Sequence, residues 1–575
     1  MSPIGQRPNI LVILVDEERY PPVYESAATR EWRQHHLVAH ERLRAHGLEF
    51  HRHYIGSAAC CPSRATLFTG HYPSLHGVSQ TDGIAKRAYD SDMFWLNPHT
   101  VPTMGHYFRE AGYRTFYKGK WHISHEDIVR PGTHQSLPSY EPVTGVPDPR
   151  KEQLYLHADP LDEYGFSDWI GPEPHGTNPR NSASSAGIGV SGRDIVYGEE
   201  AAALIETLDR QKQNGDDKPW LLIASFLNPH DIVLYGALTA LHPMFNFAVE
   251  PMPDPPPSPT QTESLHTKPR CQASYRDTYP QALQPIWNQV HYRQLYEQLQ
   301  KNADQQVNRV LESLMQSSFY ENTYVIFTSD HGDMLGAHGY MHQKFYAAYE
   351  EIIHVPLIVH HPRLYDAPRQ CEKLTSHLDL LPTLLGLAQA DVSEIQLRLQ
   401  ARFSDVHPLV GRDLSPLING QQDEHEIPEE PVYFMTDDDV TRGQHQVSPL
   451  GIPYASAIQP NHIETILLKI IRNQAQELWK FTRYFDNPQF WSVPGVRDVQ
   501  LTASTALGEH PCIKTIKTVP EPEEYELYNL TEDPMETRNL AYPEYATDES
   551  RAIQAYMARE LQAQRMRKRL VPARA

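Results

Sequence analysis

The run Ile10-Leu-Val-Ile-Leu-Val15 constrains this chain more than any other segment. Consecutive β-branched and leucine residues leave no polar face. The run therefore reads as a strand covered on both sides, the condition of a strand inside a parallel sheet. Arg114–Tyr117, Trp220–Phe226 and Tyr324–Thr328 have the same character. Between and after them lie helical patterns. Over Tyr292–Leu314, Leu295, Leu299, Val307, Val310, Leu311 and Leu314 fall mostly at helical spacing, and His377–Leu387 is a second such stretch. Alternating strands and helices predict an α/β fold on a large mixed, mostly parallel sheet flanked by helices.

Each of these strands gives way to polar residues. The first runs into Asp16-Glu17, the second into Lys118-Gly-Lys-Trp-His122, the third into Asn228-Pro-His-Asp231 and the fourth into Ser329-Asp-His-Gly-Asp333. Ligands of open α/β sheets bind beyond the carboxyl ends of the strands. Carboxylate, imidazole and ammonium at these ends predict a single convergent site. Asp16 and Asp330 offer hard oxygens that suit Ca²⁺ or Mg²⁺; an Asp ending a strand also serves as a turn or helix cap. Lys120 and His122 are two apart, so an extended segment would turn both to one face and send Trp121 into packing.

With 575 residues, 40% of them apolar, the chain can bury a sizeable core. A formal charge of −21 argues against a general nucleic-acid binder, which needs a basic face. No segment approaches the ~18 apolar residues of a membrane span. Met1–Pro8 is polar and shows no signal peptide, so a cytoplasmic protein without a membrane partner is expected. Cysteines 60, 61, 271, 371 and 512 are too sparse for a disulfide framework, and Cys271, Cys371 and Cys512 read as isolated thiols. Proline, at 48 residues, points to long ordered loops, chiefly 125–190 and 243–280. From about residue 426 the pattern changes. Pro431–Met435, Ile463–Ile471 and Leu478–Phe485 read as strands without long helices between them, and the chain closes on a basic helix, Arg551–Arg569. The expected division is residues 1–425 and a smaller antiparallel α+β part, 426–575. Asp437-Asp-Asp439 could reach the mouth of the site, although charge clusters are usually solvated faces, and Arg565–Arg569 reads as a solvated helix end.

The sharpest motif is Cys60-Cys-Pro-Ser-Arg-Ala-Thr-Leu-Phe-Thr-Gly70. Pro62 suits the first turn of a helix and Gly70 its C-terminal cap. Cys60 and Cys61 are then expected just ahead of a helix N-terminus, where backbone N–H groups favour an anion, with Arg64 adding fixed charge. Alone, the pair also reads as inert buried thiols or a vicinal disulfide. Together with Pro8-Asn-Ile-Leu-Val, Gly119-Lys-Trp-His122, Ser329-Asp-His-Gly332, His354-Val-Pro-Leu-Ile-Val359, His377-Leu-Asp-Leu-Leu-Pro-Thr383 and Glu526-Leu-Tyr-Asn-Leu530, the motif resembles the sulfatase signature. Most of the chain is similar to the sulfatase family, within the alkaline-phosphatase-like superfamily.

The resemblance implies a sulfuric ester hydrolase. Cys60 would be oxidised to formylglycine by a formylglycine-generating enzyme, and its hydrated aldehyde would be the nucleophile. Cys61 would occupy the variable place. Asp16, Glu17, Asp330 and His331 would hold one divalent metal, with Ca²⁺ the first expectation and Mg²⁺ or Mn²⁺ compatible. Glu17 stands where many members carry a second Asp. Arg64 would stabilise the hydrated aldehyde, and Lys120 and Lys344 would contact the sulfate, Lys344 at a slightly shifted spacing. His122 would be the base that expels sulfate, and His230 would act on the leaving oxygen. The substrate would be a small-molecule or saccharide sulfate ester. A phosphonate monoester or phosphodiester hydrolase on the same site, or a silent binding protein, are the alternatives.

Overall fold

The computed structural model describes residues 7–174, 192–243, 245–491 and 519–573. The large sheet holds β1 (Asn9–Asp16), β2 (Gly47–Phe50), β4 (Arg114–Gly119), β5 (Trp220–Pro229), β6 (Thr323–Ser329), β7 (Leu357–His360) and β8 (Arg369–Cys371). Their order is β4-β5-β1-β6-β7-β2-β8. β4, β5, β1 and β6 run parallel, while β7 is antiparallel to both β6 and β2. A short pair, β3 (His53–Tyr54) and β9 (Thr375–Ser376), lies apart.

Strand periodicity explains the layers. On β1, Ile10, Val12 and Leu14 pack on one side with Leu67, Phe68, Leu381 and Leu384. Leu11, Ile13 and Val15 pack on the other with Ile205, Leu208, Val307, Val310 and Leu314. One layer thus includes helices Cys60–Thr69 and His377–Leu387, and the other Arg193–Gln213 and Gln289–Gln316. Both faces of the strand are covered, so a continuous apolar run is what the position requires. Each such side chain contributes about 1.5–3 kcal/mol by leaving water.

The second sheet is antiparallel, β10 (Val432–Thr436), β11 (His462–Arg472), β12 (Ala475–Phe485) and β13 (Glu524–Asn529), in that order. Tyr433, Met435, Ile466, Trp479 and Phe481 cover one face with Met557 and Leu561 of helix Asp548–Lys568. Its opposite face, including Phe434, Ile463 and Tyr484, packs with Tyr275, Phe345 and Tyr349 of the larger part.

The aspartate triplet is not a solvated face: Asp437, Asp438 and Asp439 are all buried. The basic helix end is solvated in part. Arg567 is exposed, while Arg565 and Arg569, half-buried, reach Glu464, whose side chain is fully buried. Cys271 and Cys371 are free and buried, and Cys512 lies outside the described residues. Among the described residues no helix is long and apolar enough to cross a membrane.

Candidate active site

Helix Cys60–Thr69 begins two residues earlier than the motif suggests. Cys60 and Cys61 are its first two residues, not its approach, and Ala59 is the cap. Pro62 is tolerated because first-turn N–H groups have no partner within the helix. Gly70 closes it with φ 69°, a left-handed conformation that glycine adopts without Cβ strain. The approach is held from the second sheet. Met435 N–H donates to Gly56 O at 3.1 Å, and the Thr436 hydroxyl donates to Ala58 O. The Asp438 carboxylate accepts from Thr81 N–H at 3.2 Å and Ala59 N–H at 3.5 Å. These partners account for the burial of Asp438; Asp437 is buried against His462 and Asn487, and Asp439 against the Tyr346 hydroxyl.

Arg64, one turn on, is wholly buried and acts as a crosslink. Its Nη2 donates to Asp16 Oδ2 at 2.9 Å and its Nε to Asp330 Oδ2 at 2.7 Å. Its Nη1 donates to Lys120 O and Ser225 Oγ at 2.8 and 2.9 Å. Lys120 Nζ reaches Asp16 Oδ2 at 2.6 Å. The ends of β1, β4, β5 and β6 are therefore tied to one guanidinium. Burial favours the neutral form of Asp16, but Lys120, His230 and Arg64 outweigh it and hold the carboxyl below its ordinary value. Burial, aided by Asp16, pushes Asp330 up to about 6.

His331 Nε2 lies 3.1 Å from Cys60 Sγ, 3.7 Å from Asp16 Oδ1 and 3.6 Å from Asp330 Oδ1. The other ring nitrogen faces Gly332 O at 3.0 Å. A proton on Nδ1 satisfies that carbonyl and leaves the Nε2 lone pair on the cluster. Burial raises the Cys60 pKa, yet Lys120, Lys344 and His331 draw it well below the ordinary thiol value.

His122 departs from the extended reading. β4 stops at Gly119, where φ is 96° and an added Cβ would stand 1.8 Å from Ser225 O. His122 itself has φ 58°. Its Nε2 pairs with Asp82 Oδ1 at 2.8 Å, while Trp121 is buried as expected. Glu173 accepts Trp121 N–H and His122 N–H at 2.7 and 2.8 Å, clamping the turn. Burial disfavours the His122 imidazolium, but Cys61, Asp82 and Cys60 together raise its pKa well above the ordinary value. His230 follows β5, where Asp194 accepts Leu227 N–H and Asn228 N–H at 2.7 and 2.9 Å. Burial, with Lys120 adding repulsion, lowers His230 to about 4. Lys344 Nζ is buried against Glu17 Oε2 at 2.8 Å.

All ten expected site residues thus converge. Asp82, Glu173 and Asp194 are not among them: each is a lone acid in the sequence whose partner is a distant backbone or imidazole N–H. Asp438, the middle of the acidic triplet, accepts from Ala59 N–H right beside Cys60.

The residues fit a hard cation. Donor atoms of Asp16, Cys60, Asp330 and His331 lie within 4.8 Å of one another, as do those of Asp16, Glu17 and His230. Glu17 Oε1 is buried with no hydrogen-bond partner, an acceptor whose burial is costly without a positive neighbour. Carboxylate oxygens with one imidazole suit Ca²⁺, Mg²⁺ or Mn²⁺.

Architecturally this is an α/β protein on a mixed, mostly parallel sheet with a smaller antiparallel sheet after it. The Sulfatase family profile matches residues 8–390, and the chain belongs to that family. An uncharacterized sulfatase of Escherichia coli (strain K12) is 29% identical over 62% of this chain and 63% of its own length. The choline-sulfatase of Rhizobium meliloti (strain 1021) is 26% identical over 72% of each chain. A Bacteroides thetaiotaomicron structure described as a putative sulfatase superposes with TM-score 0.60 at 20% identity, covering 98% of this chain and 93% of its own. The phosphonate monoester hydrolase of Agrobacterium radiobacter shares the fold with TM-score 0.53 at 19% identity, covering 98% and 96%.

Proposed function

We propose that this chain hydrolyses sulfate monoesters through a formylglycine formed from Cys60. The convergence of Cys60 with Arg64, Lys120, Lys344 and four potential metal ligands carries the reading. A thiol attacking sulfur would form an adduct with no internal means of release. A geminal diol at residue 60 can attack with one hydroxyl and expel sulfate once the other loses its proton, splitting one hard step into two.

Asp16, Glu17, Asp330 and His331 would hold the cation, which when bound neutralises charge on the sulfuryl oxygens. Lys120 and Lys344 bind the same oxygens and stabilise the charge that builds there. Arg64 holds Asp16 and Asp330 and lends positive potential to residue 60. His230, a neutral imidazole with its pKa near 4, polarises the leaving oxygen by hydrogen bonding. His122 takes the proton whose loss releases sulfate, and Asp82 holds its ring. Catalysis is assigned to residues 1–425, with 426–575 a smaller subdomain that steadies the approach to Cys60. Choline-sulfatase and a 2-O GAG sulfatase structure among the similar proteins support a small-molecule or saccharide sulfate ester as substrate.

The mass of tryptic peptide His53–Arg64 tests the modification: an aldehyde at residue 60 is expected, and a thiol there in active protein would overturn it. Relative rates on an aryl sulfate and an aryl phosphonate test the reaction, with the sulfate preferred. A stronger preference for the phosphonate would establish the competing hydrolase instead.

A further inference from the structure

Cys61 has no part in that chemistry, yet its surroundings are specific. The Cys61 thiol, an Asp82 carboxylate oxygen and a His122 ring nitrogen lie within 4.8 Å of one another. Cys61 is wholly buried, whereas the His122 and Asp82 side chains keep 17% and 9% of their exposure. The group is thus closed behind and open in front. His122 Nδ1 is buried without a hydrogen-bond partner.

We infer that Cys61, Asp82 and His122 form a second metal site, one for a thiophilic divalent cation of the Zn²⁺ kind, and that filling it stops turnover. The donor set decides the metal. Sulfur, imidazole nitrogen and one carboxylate oxygen match the ligands Zn²⁺ takes, at roughly 2.0–2.3 Å each. Donors on such a tetrahedral shell stand roughly 3.5 Å apart, so modest side-chain rotation closes the group. The neighbouring Asp16, Glu17 and Asp330 offer oxygen instead and favour hard cations, so the two sites sort metals by softness.

Binding is a simple exchange. The Cys61 sulfur bonds the cation and its proton passes to solvent; a His122 imidazolium likewise gives up one proton to solvent, after which imidazole and carboxylate bind through lone pairs. No oxidation or reduction occurs. The effect on turnover rests on His122 being the base proposed above; the binding itself does not.

Co²⁺ reports the site without reference to activity. Added to the Cys60→Ala variant, which lacks the adjacent thiol, Co²⁺ should give a thiolate-to-metal charge-transfer band that Cys60→Ala/Cys61→Ser loses. No band in the first variant, or an equal band in both, would overturn the site. Should Cys60→Ala fail to fold, Zn²⁺ competition against a chelating dye, with otherwise native protein and its Cys61→Ser variant, gives the same comparison. For the effect on turnover, aryl sulfate hydrolysis is followed with Ca²⁺ saturating. Each measured against its own Zn²⁺-free rate, Cys61→Ser should need at least tenfold more Zn²⁺ for half-inhibition than the native protein. Equal Zn²⁺ sensitivity would remove the inhibitory role.

Discussion

At the scale of residues, the two histidines have separable duties. His122→Ala leaves the lysines and metal ligands for the first step but removes the proposed base of the second. It should release one equivalent of alcohol in a burst and leave a covalent sulfate adduct on residue 60, read by mass. No burst and no adduct would assign the base elsewhere. His230→Ala should slow the first step, most for poor leaving groups. The His122–Asp82 pair sets the sign of the pH effect. The base must be neutral, and Cys61 and Asp82 raise its pKa, so the acidic limb of the rate profile sits higher than for an ordinary histidine. Asp82→Asn should move that limb to lower pH; an unmoved limb would mean Asp82 does not set it. Asp330→Asn, which removes a carboxylate charge from the cluster, should weaken metal binding and cut the rate by roughly 10²-fold or more, as loss of a key electrostatic group does. Calorimetric titration with Ca²⁺ and steady-state rates check both.

Among elements, legibility divided along a physical line. Asp16 could be read because β1, buried on both faces, is apolar from Ile10 until it emerges, so its next polar residue marks the sheet edge. Lys120, His230 and Asp330 follow shortly after the apolar runs of β4, β5 and β6 give way to polar residues. The Cys60–Thr69 helix could be read from Pro62 and Gly70, though it starts two residues earlier because Cys60 and Cys61 are themselves helical. Asp438 could be read only as one of an acidic triplet, and Glu173 could not be read. Their roles depend on Ala59 N–H and on the Trp121 and His122 N–H groups, met only through tertiary packing. The extended reading of Lys120 and His122 failed because Gly119, too close to Ser225 O for any Cβ, ends the strand and frees the chain to turn. Asp438→Ala should therefore loosen the approach to residue 60, lowering kcat with the fold retained by circular dichroism. Unchanged kcat would deny that this clamp matters.

Across the whole molecule, the two sheets are joined by buried charge as well as apolar contact. Lys480 of β12 donates to Ala348 O at 2.9 Å and pairs with Glu350 and Glu536 at 3.0 and 2.7 Å. Within the second sheet and its helix, Glu464 of β11 gathers Arg483, Arg565 and Arg569, and Tyr433 donates to it at 2.7 Å. Burial favours a neutral Glu464, but Arg565, Tyr433 and Arg569 lower its pKa. A carboxyl depressed on folding adds stability above its unfolded pKa of about 4.3 and loses it as pH falls through the folded value. Glu464→Ala should cost about 2 kcal/mol by leaving three half-buried arginines and the buried Tyr433 hydroxyl without their shared acceptor, measured by denaturant unfolding at neutral pH; a change under about 1 kcal/mol would place the cluster among weak surface contacts. The same joint bears on how the molecule is made. Cys60 is 2% exposed, and the loop before it is pinned by residues 435, 436 and 438, nearly four hundred positions downstream. With β10 in place a second enzyme would find that sulfur covered. The proposed conversion of Cys60 would therefore belong to the nascent or unfolded chain, and a molecule that folded first would be sealed with its thiol inside.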